Sequence, residues 1–456
     1  MGKPIGKSSD VISWLRELGC RYLPRGSLRH LLLLGAFWSL AGAIFSRSFT
    51  LVCSIIVARI LGKAGFGQWG LILITISMFA HFASFGMALS ATKHVAELRT
   101  TDPLRAGRTL SLILLTGLVS VSAMTLVCLG LARWLANNLY NVPELLVPLM
   151  LASIILLCMV LTQILQGALA GFEDFRCIAK INLVQGVVLF AIAPLLTLGL
   201  GLVGTVIGMA ISQVTAMFLC IIATARKSRE NNVPLGMEGI WRERSILWSY
   251  GLPSLLTAAA IGPTSVLSQA VVANIPGGLG DLGGFSVAMR WRETVLFIPG
   301  AVRRVTLPLL SKLKGANDYH RFVRALWANI GLNGGTALIA AIPIMILSPW
   351  ILRLYGRNFT GDWDMMVILV GSGFFRAVND VVTQVMPAMG KLWWNFGVHV
   401  VWGAVVLGGT LLMVPHYGAR GYVWAVAVAE FNHMFLNCLL VIQVLKRAKS
   451  VNGTIF

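Results

Sequence analysis

Apolar residues in this chain fall in long blocks parted by short polar stretches, and each block reaches the roughly 20 residues of helix needed to cross a hydrocarbon core. The blocks centre, within a few residues, on Arg47, Phe79, Val121, Leu156, Ala191, Ala216, Ala260, Phe297, Ala340, Arg376, Val406 and Glu430. Period-two alternation does not dominate. Inside lipid only helices or closed barrels satisfy every backbone amide, so the pattern predicts helices. The fold class expected is all-α, a polytopic transmembrane helix bundle of about twelve spans. Apolar length alone does not set two of its boundaries, the block around Phe297, which carries several charges, and the tight Gly199-Leu200-Gly201 turn between the fifth and sixth blocks.

The blocks repeat. Val57-Ala58-Arg59-Ile60-Leu61-Gly62 and Gly65, after the first span, match Val272-Ala273-Asn274-Ile275-Pro276-Gly277 and Gly280, after the seventh. Gly201, Gly204 and Met217-Phe218-Leu219 match Gly418, Gly421 and Met434-Phe435-Leu436 at nearly the same offset, and Thr162-Gln163 matches Thr383-Gln384. Order and position are kept, which predicts two six-helix lobes related by an axis along the membrane normal. The expected organisation is a basic N-terminal segment over 1–30, lobes over 31–224 and 246–445, a connector over 225–245 and a tail over 446–456. In the N-terminal segment Ile12, Trp14, Leu15 and Leu18 form one face of a short surface helix, or the segment is a solvated tail. Prolines gather in the second lobe's first two spans, at Pro253, Pro263 and Pro299, where a gating hinge or a static kink is expected.

Composition agrees: 57% of residues are hydrophobic and only 12% charged, too few for an ordinary water-soluble surface. The net charge of +20 is distributed by side. With both termini cytoplasmic, the segments assigned inside hold 27 of the 37 Lys and Arg, and the opposite loops hold Arg59, Lys63, Arg133, Arg353, Arg357 and Arg420 alone. The charge therefore reads as a positive-inside signature with attraction to anionic membrane lipids, and no nucleic-acid partner is needed to explain it. Seven scattered cysteines show no Cys-x-x-Cys pair, and no His cluster has metal-ligand spacing. Gly2 to Ser8 is one residue short of a phosphate loop, so no nucleotide site is expected.

The segments Ala58-Arg59-Ile60-Leu61-Gly62-Lys63-Ala64-Gly65-Phe66-Gly67, Gln166-Gly167-Ala168-Leu169-Ala170-Gly171-Phe172 and Leu307-Pro308-Leu309-Leu310-Ser311-Lys312-Leu313, with the basic connector from Lys93 to Arg108, resemble the polysaccharide transporter (Wzx-type) flippases. These belong to the multidrug/oligosaccharidyl-lipid/polysaccharide (MOP) exporter superfamily. The resemblance covers nearly the whole chain. It implies a MOP/MATE-like pair of lobes working by alternating access. It also implies a bacterial inner-membrane location, export of undecaprenyl-pyrophosphate-linked repeat units for O-antigen, capsule or exopolysaccharide, and the company of a polysaccharide polymerase and other assembly proteins around a monomeric transport unit.

Charges within the spans supply the candidate site, because an arginine at mid-helix costs about 2.5 to 3.5 kcal/mol to insert and must face protein or water. Arg47 lies on a small, polar stripe of Ser39, Ala43, Ser46, Thr50 and Ser54, expected to face a central cavity where a pyrophosphate docks, or else to hold a structural ion pair. Arg290 and Arg292 cannot both face one way. A pair between Arg290 and Glu293 would leave Arg292 as the better ligand. Arg376 and Asp380, four apart, read as a local ion pair. Arg303 and Arg304 read as snorkelling to lipid phosphates. No cofactor is expected, but a flippase needs a driving force. Glu430 and His433, one turn apart in the last span, are the candidates for coupling to a proton or other ion gradient, or a buried pair. Competing readings are a multidrug or lipid II exporter of the same superfamily and a membrane-embedded glycosyltransferase or ligase. The last would need catalytic acids on a large loop, and the opposite loops read as short connections. A transporter rather than an enzyme is expected.

Overall fold

A computed structural model describes residues 28–236, 238–243, 245–300, 302, 306, 310, 313, 319–388 and 392–450, with side chains from Ser46 onward over most of that range. The N-terminal amphipathic face, the side chains of Ser39, Ala43 and Pro253, and Arg303 and Arg304 lie outside the described residues.

Among the described residues thirteen α-helices follow in order: α1 (Leu28–Ser84), α2 (Met87–Leu98), α3 (Pro103–Trp134), α4 (Leu146–Gly171), α5 (Phe175–Glu230), α6 (Ser245–Ala273), α7 (Gly278–Val295), α8 (Tyr319–Ile346), α9 (Ser348–Tyr355), α10 (Trp363–Val382), α11 (Val385–Ala388), α12 (Leu392–Tyr417) and α13 (Ala419–Ser450). Among the described residues nine helical stretches are long and apolar enough to cross a membrane. Two of them break at a glycine. In α5 the break is Gly201, at φ 56° and ψ −133°, a conformation only glycine adopts at low cost. Beyond it the chain runs back on itself. Thr197 and Thr205 touch through their hydroxyls at 2.9 Å, although eight residues of straight helix would hold them far apart, and Ser212 donates to the Gln185 carbonyl. In α1 the break is Gly62, at φ 71° and ψ 179°, and Ser54 and Phe66 on its two sides both reach Tyr355. Dividing these two helices gives eleven crossings, and α7, continued by helical residues at 302, 306, 310 and 313, makes the twelfth. The molecule is a multi-pass membrane protein.

The turns sort onto two ends of the bundle. One, the glycine end, holds the turns at Gly62, Gly201, Gly277, Gly356 and Gly418, all at positive φ. The other, the connector end, holds the links after α2, α4 and α5, flanked by helix ends rich in Lys and Arg such as Lys93, Arg105, Arg108, Arg176, Lys180, Arg226 and Lys227. The connector between the lobes is docked there: Val233 is buried, Arg105 reaches Glu243 at 3.1 Å, and Gly107 leaves room for the Pro234 carbonyl.

The internal repeat is visible as geometry. Gly62 and Gly277 share positive φ (71° and 76°), as do Gly201 and Gly418 (56° and 59°). A Cβ on Gly204 would strike the carbonyl of Leu196, and one on Gly421 the carbonyl of Met413, in each case eight residues back across the hairpin. The next contact along has swapped partners: Gly208 lies on Ala193 in the first lobe, whereas Gly409 lies under Ala425 in the second. The same close helix approach is kept with the small residue moved to the other side. Helix α6 runs unbroken through Pro253 and Pro263.

Candidate functional site

The two lobes meet along a seam between the first arm of α1 and the helix α7. Three positions of the eighth span, Arg290, Thr294 and Phe297, lie at helical spacing on one side, and that side faces α1. Arg47 lies over the Phe297 ring at 4.9 Å and donates from Nη1 to the Glu293 carbonyl at 2.9 Å. Arg290, one turn further toward the glycine end, is within electrostatic reach of Cys53 on α1 and Tyr355 on α9, and among the described residues it has no ion-pair partner. Its expected pair with Glu293 does not form. The seam therefore carries two guanidinium groups drawn from different lobes. A guanidinium offers planar, forked donors suited to phosphate oxygens.

The small, polar stripe beside Arg47 is divided between two neighbours. Ser46 donates to the Asn182 carbonyl of α5 at 2.9 Å, and Gly186 lies against the Ser46 backbone. Cys53 reaches the Leu189 carbonyl, and Phe49 meets the Phe190 ring. Of the stripe's described members Ser46 brings α1 close to α5 while Ser54 reaches Tyr355 of the second lobe, and Arg47 leaves the helix on an exposed face.

Arg292 points the opposite way, into the second lobe. It is 5% exposed and donates from Nη2 to Glu430 at 2.6 Å; Glu430 is 2% exposed and also meets Arg376 at 3.5 Å. Arg376 forms the expected pair with Asp380 at 3.2 Å, so a chain of four charges links α7, α13 and α10. One turn along α13, His433 has Nδ1 3.1 Å from the Asn379 amide nitrogen. Asn437 donates to Asn379 at 2.8 Å, and the His399 ring centroid lies 4.7 Å from that of His433. Glu430 and His433 are thus neighbours in one polar interior, but each has its own set of partners. Among the described residues Glu430 Oε2, Arg292 Nε and His433 Nε2 are buried without a hydrogen-bond partner. No group of three His, Cys, Asp or Glu side chains there is placed to hold a metal ion.

At the glycine end the lobes are sealed together. Lys63 of the first lobe meets Asp362 at 2.9 Å and Asp281 at 3.7 Å, both of the second. Phe66 is held edge-on by Tyr355 and Phe359, each with ring centroids 6.3 Å away, and all three are 1% exposed. Glycines allow this approach: a Cβ on Gly67 would fall 1.8 Å from the Leu279 carbonyl, and one on Gly283 2.1 Å from that of Lys63. Arg59 donates to the Leu354 carbonyl, and Asn141 to Asn274. Neither this seal nor the Asn379–His433–Asn437 group was anticipated from the sequence, because the partners lie 54 to 299 positions apart.

Residues 32–314, more than half of the chain, match the family model described as polysaccharide biosynthesis protein. The chain belongs to that family. Among its relatives is the EPS I polysaccharide export inner membrane protein EpsE of Ralstonia nicotianae, 26% identical over 422 residues, 89% of this chain and 91% of the relative. A shorter likeness is to the probable flippase AglR of Haloferax volcanii, 26% identical over 174 residues, 37% of this chain and 35% of that protein. Solved structures of similar fold include an inward-facing MATE multidrug transporter of the MOP superfamily, with a TM-score of 0.73 at 15% identity over 89% of this chain and 96% of that one. A MOP transporter from Pyrococcus furiosus, described as having a binding pocket of reverse polarity, superposes with a TM-score of 0.70 at 16% identity over 93% and 97%. This member of the polysaccharide biosynthesis protein family therefore has the two-lobed MOP exporter fold.

Proposed function

We propose that this chain flips an undecaprenyl-pyrophosphate-linked oligosaccharide repeat unit from the cytoplasmic to the outer leaflet by alternating access. The product serves O-antigen, capsule or exopolysaccharide assembly. The observation that carries the proposal is the pair Arg47 and Arg290, set on the seam of two lobes that are sealed together at the glycine end by the contacts described. Membership of the family and the printed role of the EpsE relative in polysaccharide export support the class of cargo. A pyrophosphate docks on the two guanidiniums, and the lipid tail stays in the bilayer beside the seam. In this reading the glycine end is outer and the connector end, with its basic helix ends and both termini, is cytoplasmic. The location is the bacterial inner membrane. The transport unit is one chain, handing its product to a polymerase or other assembly proteins.

Arg292 is then a counter-charge for Glu430 rather than a cargo ligand, and Arg290 takes its place. Ion coupling falls to Glu430 and His433, with Glu430 setting the charge balance and His433 the group that exchanges a proton. Pro253 and Pro263 supply the bend of α6 during gating.

The test is to delete the gene in its host and ask on which leaflet the lipid-linked oligosaccharide gathers, using a membrane-impermeant sugar-modifying enzyme. Accumulation on the cytoplasmic leaflet supports flipping. Normal presentation of the repeat unit at the outer leaflet overturns it.

A further inference from the structure

The two arms of α5 leave between them, at the connector end, a groove of about 500 Å³ on the face of the helix turned away from α1. The contacts with α1 use Asn182, Gly186 and Phe190, whereas the groove uses Arg176, Lys180 and Val184, spaced one turn apart on the other side. The opposite wall is Ile222, Arg226 and Lys227. Polarity changes along the groove: four cations sit at its mouth, while Val184 (41% exposed) and Ile222 (64%) form a deeper, uncovered apolar floor.

The charges at the mouth do not cancel. Arg226 and Lys227 both reach Glu230 at 2.7 Å, and Lys227 also meets Asp174 at 3.3 Å. The adjacent acid, Glu173, is engaged by Arg99 at 2.8 Å. Among the described residues no carboxylate pairs with Arg176 or Lys180, so two positive charges are in surplus. A surplus of cations above an apolar, membrane-facing floor matches the profile of one molecule class, in which a phosphate ester is joined to acyl chains.

We propose that this groove is a binding site for an anionic diacyl phospholipid of the leaflet at the connector end. Its phosphate sits between Arg176 and Lys180, and an acyl chain covers Val184 and Ile222. A soluble phosphate would leave the floor bare, and a zwitterionic headgroup would bring its own cation against the surplus. The site is independent of the cargo proposed above, because it lies on the far side of the fifth span from the seam. Bridging the two arms of α5, the lipid stiffens the hairpin that packs on α1 within the first lobe.

The experiment uses the purified full chain in mild detergent, with lipid retention read by native mass spectrometry and stability by thermal unfolding. The probes are phosphatidylglycerol, phosphatidylcholine and glycerol 3-phosphate. Phosphatidylglycerol is expected to be retained and to raise the unfolding temperature. The double variant Arg176→Gln/Lys180→Gln should bind it about thirtyfold more weakly, at about fivefold per surface cation. Ile222→Trp, which closes the groove with every charge in place, should also displace it, and Arg133→Gln at the glycine end should not. Retention of phosphatidylcholine to the same extent, unchanged binding in the double variant, or equal stabilisation by glycerol 3-phosphate would each overturn the assignment.

Discussion

At the scale of single residues, the second lobe holds Arg292 and Glu430 buried while the seam holds Arg47 exposed and Arg290 half-buried, and the two groups respond differently to substitution. Glu430 balances two guanidiniums at 2% exposure. Replacing it by Gln leaves Arg292 buried without a counter-charge, a change that costs about 3 to 5 kcal/mol. Glu430→Gln should therefore lower the unfolding temperature in detergent, and Arg292→Gln/Glu430→Gln should recover part of the loss. His433 bears no ion pair among the described residues, so His433→Gln should keep the fold. In proton-loaded vesicles it should lose gradient-driven transport; unchanged transport would remove it from the coupling path. At the seam, Arg47→Ala should abolish polymer export at normal protein level, Arg47→Lys should retain part, and Arg290→Ala should behave like Arg47→Ala. Full export from both alanine variants would dissolve the proposed phosphate site. That a charge sits mid-span at 47, 290, 292 and 430 was legible from hydropathy alone. Which of them pair was not, because Arg292 and Glu430 are 138 residues apart and only the packing of α7 on α13 joins them.

At the scale of elements, most of the fold was legible, since spans are written as apolar length and turns as glycine. The repeat matched Gly62 with Gly277 and Gly201 with Gly418 from letters alone, and both pairs share left-handed backbone. The ninth span is offset: the block was centred on Ala340, whereas α8 runs Tyr319–Ile346, because the apolar run continues into the short helix α9 at the glycine end. Two kinds of glycine do different work and should fail differently. A Cβ on Gly62 meets nothing within 4 Å, so Gly62→Ala acts through backbone strain alone, about 1 to 3 kcal/mol, read as a lower unfolding temperature. At Gly67 the backbone is helical but a Cβ would fall 1.8 Å from the Leu279 carbonyl. Gly67→Ala should push the lobes apart at the glycine end, and the opening should show as faster modification of a cysteine placed there. If Gly67→Ala leaves modification unchanged, the seal tolerates the extra carbon and does not depend on that close approach.

At the scale of the whole molecule, alternating access requires a seal that holds one end and can be undone, and its charges predict an order of effects. Lys63 lies between Asp362 at 2.9 Å and Asp281 at 3.7 Å, so one ammonium holds two carboxylates in the same few ångströms. Asp364, the next acid on α10, is taken by Arg420 and does not share Lys63. Removing the ammonium leaves Asp281 and Asp362 facing each other without a cation, and like charges in a partly buried place repel. Removing Asp362 instead leaves Lys63 with Asp281, an attraction that still crosses the lobes. Lys63→Gln should therefore open the glycine end more than Asp362→Asn does, although each deletes the same ion pair. A Ser286→Cys reporter in an otherwise cysteine-free chain reads this, because Ser286 lies against Gly70 just inside the seal. Labelling by a membrane-impermeant thiol reagent should rise several-fold with Lys63→Gln, less with Asp362→Asn, and not at all with Arg47→Ala. The reverse order would mean that Asp362 holds the seal through contacts other than Lys63. Equal, unchanged labelling would mean that Phe66, Tyr355 and Phe359 hold it by burial, with the charges as bystanders.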